Sequence, residues 1–280
     1  MINIDFSSSV RYYVCNITFL SVIQKIHISN RNHQNLAALL HTPKIPTDKI
    51  VIFSHGFKAD KNYQPFVEKL ASQLCDAGYT VLRFDYWGSG ESDGKFEDSN
   101  IRMQIEDLKD VIKYAQSQGF SHICLNGHSL GSTNAIMAYD ESIECLLFWS
   151  PIFQHLHLYE NYKEEVLKNG YVIRSRKIAG ETIKQGKGYE DEIIKCGKAF
   201  WQDFKDIQPA DRLHVIQCPV LAIIGSNDSS ISEETALSYL HKIPASTTLE
   251  VMPEGDHDFL LKSAEQKAIQ LSVEFIKMYL

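Results

Sequence analysis

The chain has 280 residues, 44% of them hydrophobic and 22% charged, with a formal net charge of −7. That length holds one large α/β domain with an inserted segment, and the composition is that of a globular protein, not a disordered one. A mild acidic excess with no block of Lys and Arg argues against a nucleic-acid footprint and against attraction to anionic membranes.

In chain order, the N-terminal stretch lacks a basic n-region, a continuous apolar h-region and a small-x-small cleavage site. No segment is long and apolar enough to span a bilayer, so a cytoplasmic protein without an integral membrane segment is expected. Asn16-Ile17-Thr18 fits a glycosylation sequon, which without a secretion signal reads as chance. Residues 10–42 alternate in places and predict an antiparallel edge hairpin. Lys49 to Ser54 is an apolar run of β type, Tyr63 to Ala77 is helical, and Thr80 to Asp85 is again β. Ile101, Ile105, Leu108 and Ile112 recur at helical spacing behind the cap candidates Asp98, Ser99 and Asn100. His122 to Leu125 and Glu144 to Trp149 read as strands. Pro151 to about Val215 breaks this rhythm, being rich in Lys, Tyr and Glu with Gly180, Gly186, Gly188 and Gly197, and predicts an insertion with some helix. Pro219 to Gly225 resumes a strand, followed by a helix near Glu233 to His241 and a strand from Thr248 to Met252. The last helix is expected to begin at Ser263, with Gln266 completing a capping box and Ala264, Ala268, Leu271, Phe275 and Ile276 facing inward.

Strand and helix alternating at this spacing predict an α/β fold, a mostly parallel sheet flanked by helices. The domain reading is a core of residues 1–150 and 216–280 with a cap insertion at 151–215. The six cysteines, Cys15, Cys75, Cys124, Cys145, Cys196 and Cys218, form no C-x-x-C pair and no zinc-like spacing with histidine. They read as small buried hydrophobes in a reducing compartment.

The most informative segment is Gly127-His128-Ser129-Leu130-Gly131, between the apolar Ile123-Cys124-Leu125 and the helix-compatible run from Ser132 to Tyr139. This is the strand–turn–helix setting of a nucleophile elbow, in which small residues two before and two after the serine relieve crowding at a sharp turn. An alcohol needs a base to take its proton, and the base needs an orienting carboxylate. Asp228 and His257 follow at the ends of the next two strands, where open parallel sheets place their active sites. Asp228 has a competing role as a helix cap, and His257 as a surface residue. Asp256 and Asp258 adjoin His257 in sequence and are poorly placed to bridge to it. His128 reads as packing beside the serine; His155, His157, His214 and His241 read as surface or cap residues. Two backbone amides are expected to form an oxyanion hole. One belongs to Leu130, directly after the serine, and the other to Phe57 in Ser54-His55-Gly56-Phe57, where an ordinary strand-end turn is the alternative. Gly88-Ser89-Gly90 has the start of a dinucleotide fingerprint, but Asp93 stands where its third glycine belongs. No cofactor is expected, and no H-E-x-x-H or carboxylate–histidine cluster signals a catalytic metal.

With these residues in view, the chain resembles the α/β-hydrolase superfamily, and within it the branch of cinnamoyl (feruloyl) esterases, monoglyceride-lipase-like enzymes and serine aminopeptidase-like domains. The resemblance rests on Ser54 to Phe57, on Arg83 to Gly94, on Phe96-Glu97-Asp98, on Gly127 to Gly131, and on Asp228 and Asp256-His257. Trp87 and Ser89 depart from it, standing where relatives often carry Arg and His. The resemblance implies a triad of Ser129, Asp228 and His257, oxyanion donors at Phe57 and Leu130, and a cap after the strand that follows the elbow helix.

The reading is a serine hydrolase cleaving small-molecule carboxylic esters through an acyl-enzyme on Ser129. An acyl thioesterase would carry the same triad, and a catalytically silent binding protein could share the scaffold. The insertion aromatics Phe153, Tyr159, Tyr162, Tyr171, Tyr189, Phe200 and Trp201 suit either an apolar pocket or the bond between cap and core.

Overall fold

The structure, a computed structural model, describes residues 22–63, 65–178 and 190–280. Residues 10–21 of the expected N-terminal hairpin, with Cys15 and the Asn16 sequon, and Gly180, Gly186, Gly188 and Tyr189 lie outside the described residues.

The hairpin of β1 (Val22–Ser29) and β2 (Asn35–Thr42) opens the described chain. Then β3 (Lys49–Ser54), α1 (Pro65–Asp76), β4 (Thr80–Phe84), α2 (Ile101–Ser117), β5 (His122–His128), α3 (Leu130–Ala138) and β6 (Ile143–Trp149) alternate as the sequence predicts. Of the three cap candidates before α2, Asn100 takes the role, its side chain accepting from the Met103 amide at 2.8 Å. Past β6 the chain leaves the sheet for α4 (Leu156–Asn169), a separate antiparallel pair β7 (Tyr171–Ile178) and β8 (Glu190–Gly197), α5 (Lys198–Asp206) and a 3₁₀ stretch, Pro209–Val215. The β7–β8 pair was not anticipated, although Tyr171-Val172-Ile173 carries the β-branched and aromatic content of a strand. The chain returns to the sheet as β9 (Val220–Gly225), α6 (Glu233–Leu240), β10 (Thr247–Met252) and α7 (Lys262–Tyr279).

Among the described residues the main sheet has eight strands in the order β1-β2-β4-β3-β5-β6-β9-β10. From β4 to β10 every neighbouring pair is parallel; only β1–β2 and β2–β4 run antiparallel. The central strands are apolar throughout because both faces are covered. Ile50 and Ile52 point into a core shared with α2 and α3, whereas Val51 and Phe53 point into one shared with α1 and α7. No helix among the described residues is long and apolar enough to cross a membrane.

Two local expectations are corrected. The capping box at Ser263 does not form: α7 starts at Lys262 after an extended Leu261, with no side-chain cap bond. Its buried face also includes Glu265, Ile269 and Ser272, with Leu271 only half-buried. Glu265 instead receives Lys69 of α1 at 2.6 Å, a tertiary contact that the helix-end pattern does not encode. His155 is not a surface residue. It precedes α4 and is 1% exposed, and its ring bonds the Thr133 hydroxyl at 2.8 Å instead of capping the helix. His157, His214 and His241 are exposed as expected.

Candidate active site

The site grows from one edge of the sheet. Ser129 follows β5, Asp228 lies three residues past β9 and His257 five past β10, so parallel pairing brings all three to the carboxyl ends of the strands. Ser129 has φ 53° and ψ −122°, a backbone conformation that L-residues rarely adopt. It is held there on both sides. The Ser129 amide donates to the Trp149 carbonyl at 3.0 Å. A Cβ on Gly127 would lie 2.6 Å from the Ser132 backbone, and one on Gly131 would lie 1.9 Å from the Ser54 carbonyl. Only glycine fits at either place, which is the crowding that the sequence pattern implies.

The three side chains form a line. His257 Nε2 is 3.0 Å from Ser129 Oγ, and His257 Nδ1 is 3.0 Å from each Asp228 carboxylate oxygen. A carboxylate only accepts, so Nδ1–H donates to it and Nε2 is left facing the serine hydroxyl. The Asp228 side chain is fully buried and that of His257 is mostly so. Burial alone would depress the His257 pKa. The hydrogen bond and charge of Asp228, aided by Asp258 and Asp256, overcome it and hold the imidazole above its ordinary value. Burial likewise pushes the Asp228 carboxyl up. The bond and charge of His257, with Ser150 and the Ser230 amide, more than offset this and leave it below the usual carboxylate range. Asp228 also accepts from the amides of Ser230 and Ile231 in the turn that follows it. It does not cap α6, since Ser232 does so.

Two residues that sequence reasoning did not place in the site hold the main chain of His257. Its carbonyl accepts from His128 Nε2 and from Ser150 Oγ, each at 3.1 Å. His128 is therefore packing, as expected, but packing with a donor aimed at the histidine loop. Burial, then the neighbouring charge of His257, depress its pKa to about 4. Ser150 is fully buried at the end of β6 with φ 46°. Its one sequence signal is its place directly after a predicted strand. The Asp228 and His257 loops are also tied to each other, the Asn227 amide donating to the Gly255 carbonyl at 2.8 Å.

The loop carrying Phe57 lies against the serine. A Cβ on Gly56 would sit 3.2 Å from Ser129 Cβ. Its shape is set by neighbours: His55 Nδ1–H donates to the Gly56 carbonyl at 3.0 Å, and His55 Nε2 accepts from the Tyr86 amide at 3.3 Å. Ser54 Oγ donates to the Gly131 carbonyl at 2.8 Å, locking the loop to the elbow. Leu130 is the first residue of α3, where helix N–H groups have no intrahelical acceptor. The Phe57 ring packs against Phe96, Phe200, Trp201 and Phe204, with centroids 5.2–6.2 Å away. Phe200, Trp201 and Phe153 are buried, so these insertion aromatics join the segment to the core, while Tyr159, Tyr162 and Tyr171 are half-buried.

Comparison with known proteins follows the same lines. The family model described as Serine aminopeptidase, S33 matches residues 45–187, just over half of the chain. An uncharacterized 31.7 kDa protein from the traX-finO intergenic region of Escherichia coli is 26% identical over 258 residues, spanning 80% of this chain and 89% of its own. The human serine hydrolase BPHL is 24% identical over 220 residues, 74% of this chain and 72% of its own. Among solved structures, Est1E from Butyrivibrio proteoclasticus with ferulic acid bound superposes with a TM-score of 0.72 at 20% identity, covering 90% of this chain and 96% of that one.

Proposed function

Since the chain belongs to the serine aminopeptidase S33 family and is a serine hydrolase of the α/β type, we propose that it cleaves carboxylic esters through an acyl-enzyme on Ser129. The observation that carries this reading is the Asp228–His257–Ser129 line of 3.0 Å contacts at the carboxyl edge of the sheet. His257 Nε2 takes the hydroxyl proton as Ser129 Oγ attacks the ester carbonyl, and returns it to the departing alcohol. Asp228 keeps the imidazole in the tautomer with Nδ1–H and stabilises the imidazolium. The amides of Leu130 and Phe57 receive the charge that develops on the carbonyl oxygen, a reading supported by how near the Gly56 backbone lies to Ser129, where an added Cβ would sit 3.2 Å from the Ser129 Cβ. Water activated by His257 then clears the acyl group. In this reading residues 151–215 serve as a cap over the site, and their aromatic contact with Phe57 couples them to the oxyanion loop.

The test compares wild type with Ser129→Ala on p-nitrophenyl esters of increasing chain length. Turnover is expected to fall on the order of 10⁶-fold in a variant that stays folded. A fluorophosphonate should label wild type only. Full activity in folded Ser129→Ala would remove the reading. An acyl-CoA preferred over an aryl ester of equal acyl length would move it to thioesters, and an unlabelled, silent wild type would move it to a binding protein.

A further inference from the structure

Strand β6 ends among the strands that carry the proposed triad. In the sheet order β5-β6-β9-β10 it has the Ser129 strand on one side and the Asp228 strand on the other, with the His257 strand one place further. Its last residue, Trp149, and the residue after it, Ser150, reach all three. The Trp149 carbonyl accepts from the Ser129 amide at 3.0 Å, and the Trp149 ring packs 4.8 Å from that of Phe259, two residues past His257. The Ser150 amide donates to the Ile223 carbonyl of β9 at 2.8 Å. The Ser150 hydroxyl donates to the His257 carbonyl at 3.1 Å, and the same hydroxyl is in hydrogen-bond contact with the Asp228 carboxylate.

Serine sits at this place against the preference of its own backbone. Its φ is 46°, in the left-handed region, where a Cβ is strained and glycine is not. Pro151 follows, and a proline normally pushes the residue before it to extended angles. Glycine would serve this backbone better, and loss of the hydroxyl would orphan none of its partners. The His257 carbonyl would still accept from His128 Nε2, and Asp228 would still accept from the Ser230 and Ile231 amides and from His257. Ser150 is 0% exposed, so solvent does not reach its hydroxyl. Strained residues persist where their surroundings over-determine them, and they cluster at functional sites.

What the hydroxyl adds is direction. A single bond from His128 leaves the His257 peptide free to pivot about it. A second bond, from a group that also meets Asp228, fixes that peptide relative to the carboxylate its ring must face. The position of the ring between Asp228 and Ser129 follows from the position of the peptide.

We propose that Ser150 is a positioning residue for the triad, its hydroxyl fixing the His257 main chain against Asp228 so that the imidazole stands in line with Ser129. The proposal rests on the esterase reading of Ser129 and deepens it. Ser150 acts through His257 and Asp228 and not on the substrate.

The backbone and the hydroxyl pull in opposite directions, so two variants separate positioning from a purely structural role. Ser150→Gly relieves the backbone and removes the hydroxyl. Its urea midpoint should equal or exceed that of wild type. Its kcat on p-nitrophenyl acetate should fall by about ten- to a hundredfold with KM within about twofold, the pattern of a misplaced catalytic group. Ser150→Thr keeps the hydroxyl on a branched Cβ that a positive φ strains further. It should lose stability and keep kcat near that of wild type. Wild-type kcat in Ser150→Gly, or a folded Ser150→Thr as slow as Ser150→Gly, would overturn the proposal while leaving the esterase intact. If wild type itself turns over no ester, the esterase reading fails alone, and proton NMR still tests Ser150. The downfield resonance of His257 Nδ1–H, identified by its absence from His257→Gln, should vanish or broaden in Ser150→Gly and persist in Ser150→Thr. A resonance that Ser150→Gly leaves unchanged would remove the positioning role.

Discussion

His257 carries opposing pulls on its proton, and their balance predicts the pH behaviour. Burial favours the neutral ring, but Asp228 and the flanking Asp258 and Asp256 win, so the folded pKa is raised. In the proposed role of general base His257 must be neutral, so the acid limb of kcat/KM is expected above the ordinary histidine value of about 6.5. Asp228→Asn should move that limb to lower pH and reduce kcat by about 10⁴-fold. A limb that stays in place would show that another group sets it. His128, depressed to about 4, is neutral throughout this range and does not contribute to the limb. The stability signs follow from the same shifts. The raised His257 contributes in full below its unfolded value of about 6.5 and loses that contribution as pH rises through the folded pKa. The lowered Asp228 contributes in full above about 3.9 and loses it as pH falls through its folded pKa. The pair therefore stabilises most between about pH 4 and 6.5.

At the level of elements, the end of β4 is tied to the segment after Phe57 by a buried ion pair. Lys61 Nζ meets the Asp85 carboxylate, and their side chains are 2% and 0% exposed. Arg83 adds a bond from Nη1 to the Lys61 carbonyl at 3.0 Å. Lys61→Met would leave Asp85 charged and without its cation, and is expected to cost about 3–5 kcal/mol. A urea midpoint unchanged from wild type would show that Arg83 and solvent compensate. The elements themselves were readable where local pattern decides them. The two-residue period of Ile50 to Phe53, the helical spacing from Ile101 to Ile112 and the Asn100 cap all act within a few residues. The Ser263 capping box shows the limit of that approach. The pattern was present, but the contact between Glu265 and Lys69 belongs to the α1–α7 packing.

At the level of the whole molecule, the segment between β6 and β9 is joined to the core by aromatics and by charge. Phe57 sits among Phe96, Phe200, Trp201 and Phe204, and Arg102 of α2 donates to Asp203 of α5 through its amide and Nε, each at 2.9 Å. Phe204→Ala removes a fully buried ring from that cluster and is expected to weaken the docking by about 3–5 kcal/mol. Limited proteolysis should then cut within residues 151–215 before the sheet is attacked. The Phe57 loop would lose a neighbour, and kcat/KM for esters should fall by up to about a hundredfold, the scale of a 1 Å misplacement. Wild-type cleavage and kinetics would show that the segment's hold does not extend to Phe57.

The sequence by itself determined the order of strands and helices, the elbow at Ser129 and the candidates Asp228 and His257. These follow from periodicity, from glycines beside a strained residue and from positions at strand ends, all of which act over short stretches of chain. Only the tertiary structure decided what holds those groups in place: His128 and Ser150 on the His257 carbonyl, and the Asn227 amide on the Gly255 carbonyl that ties the Asp228 and His257 loops. Each of these joins segments that are distant in the chain and meet through sheet order and packing, so no local pattern in the sequence records them.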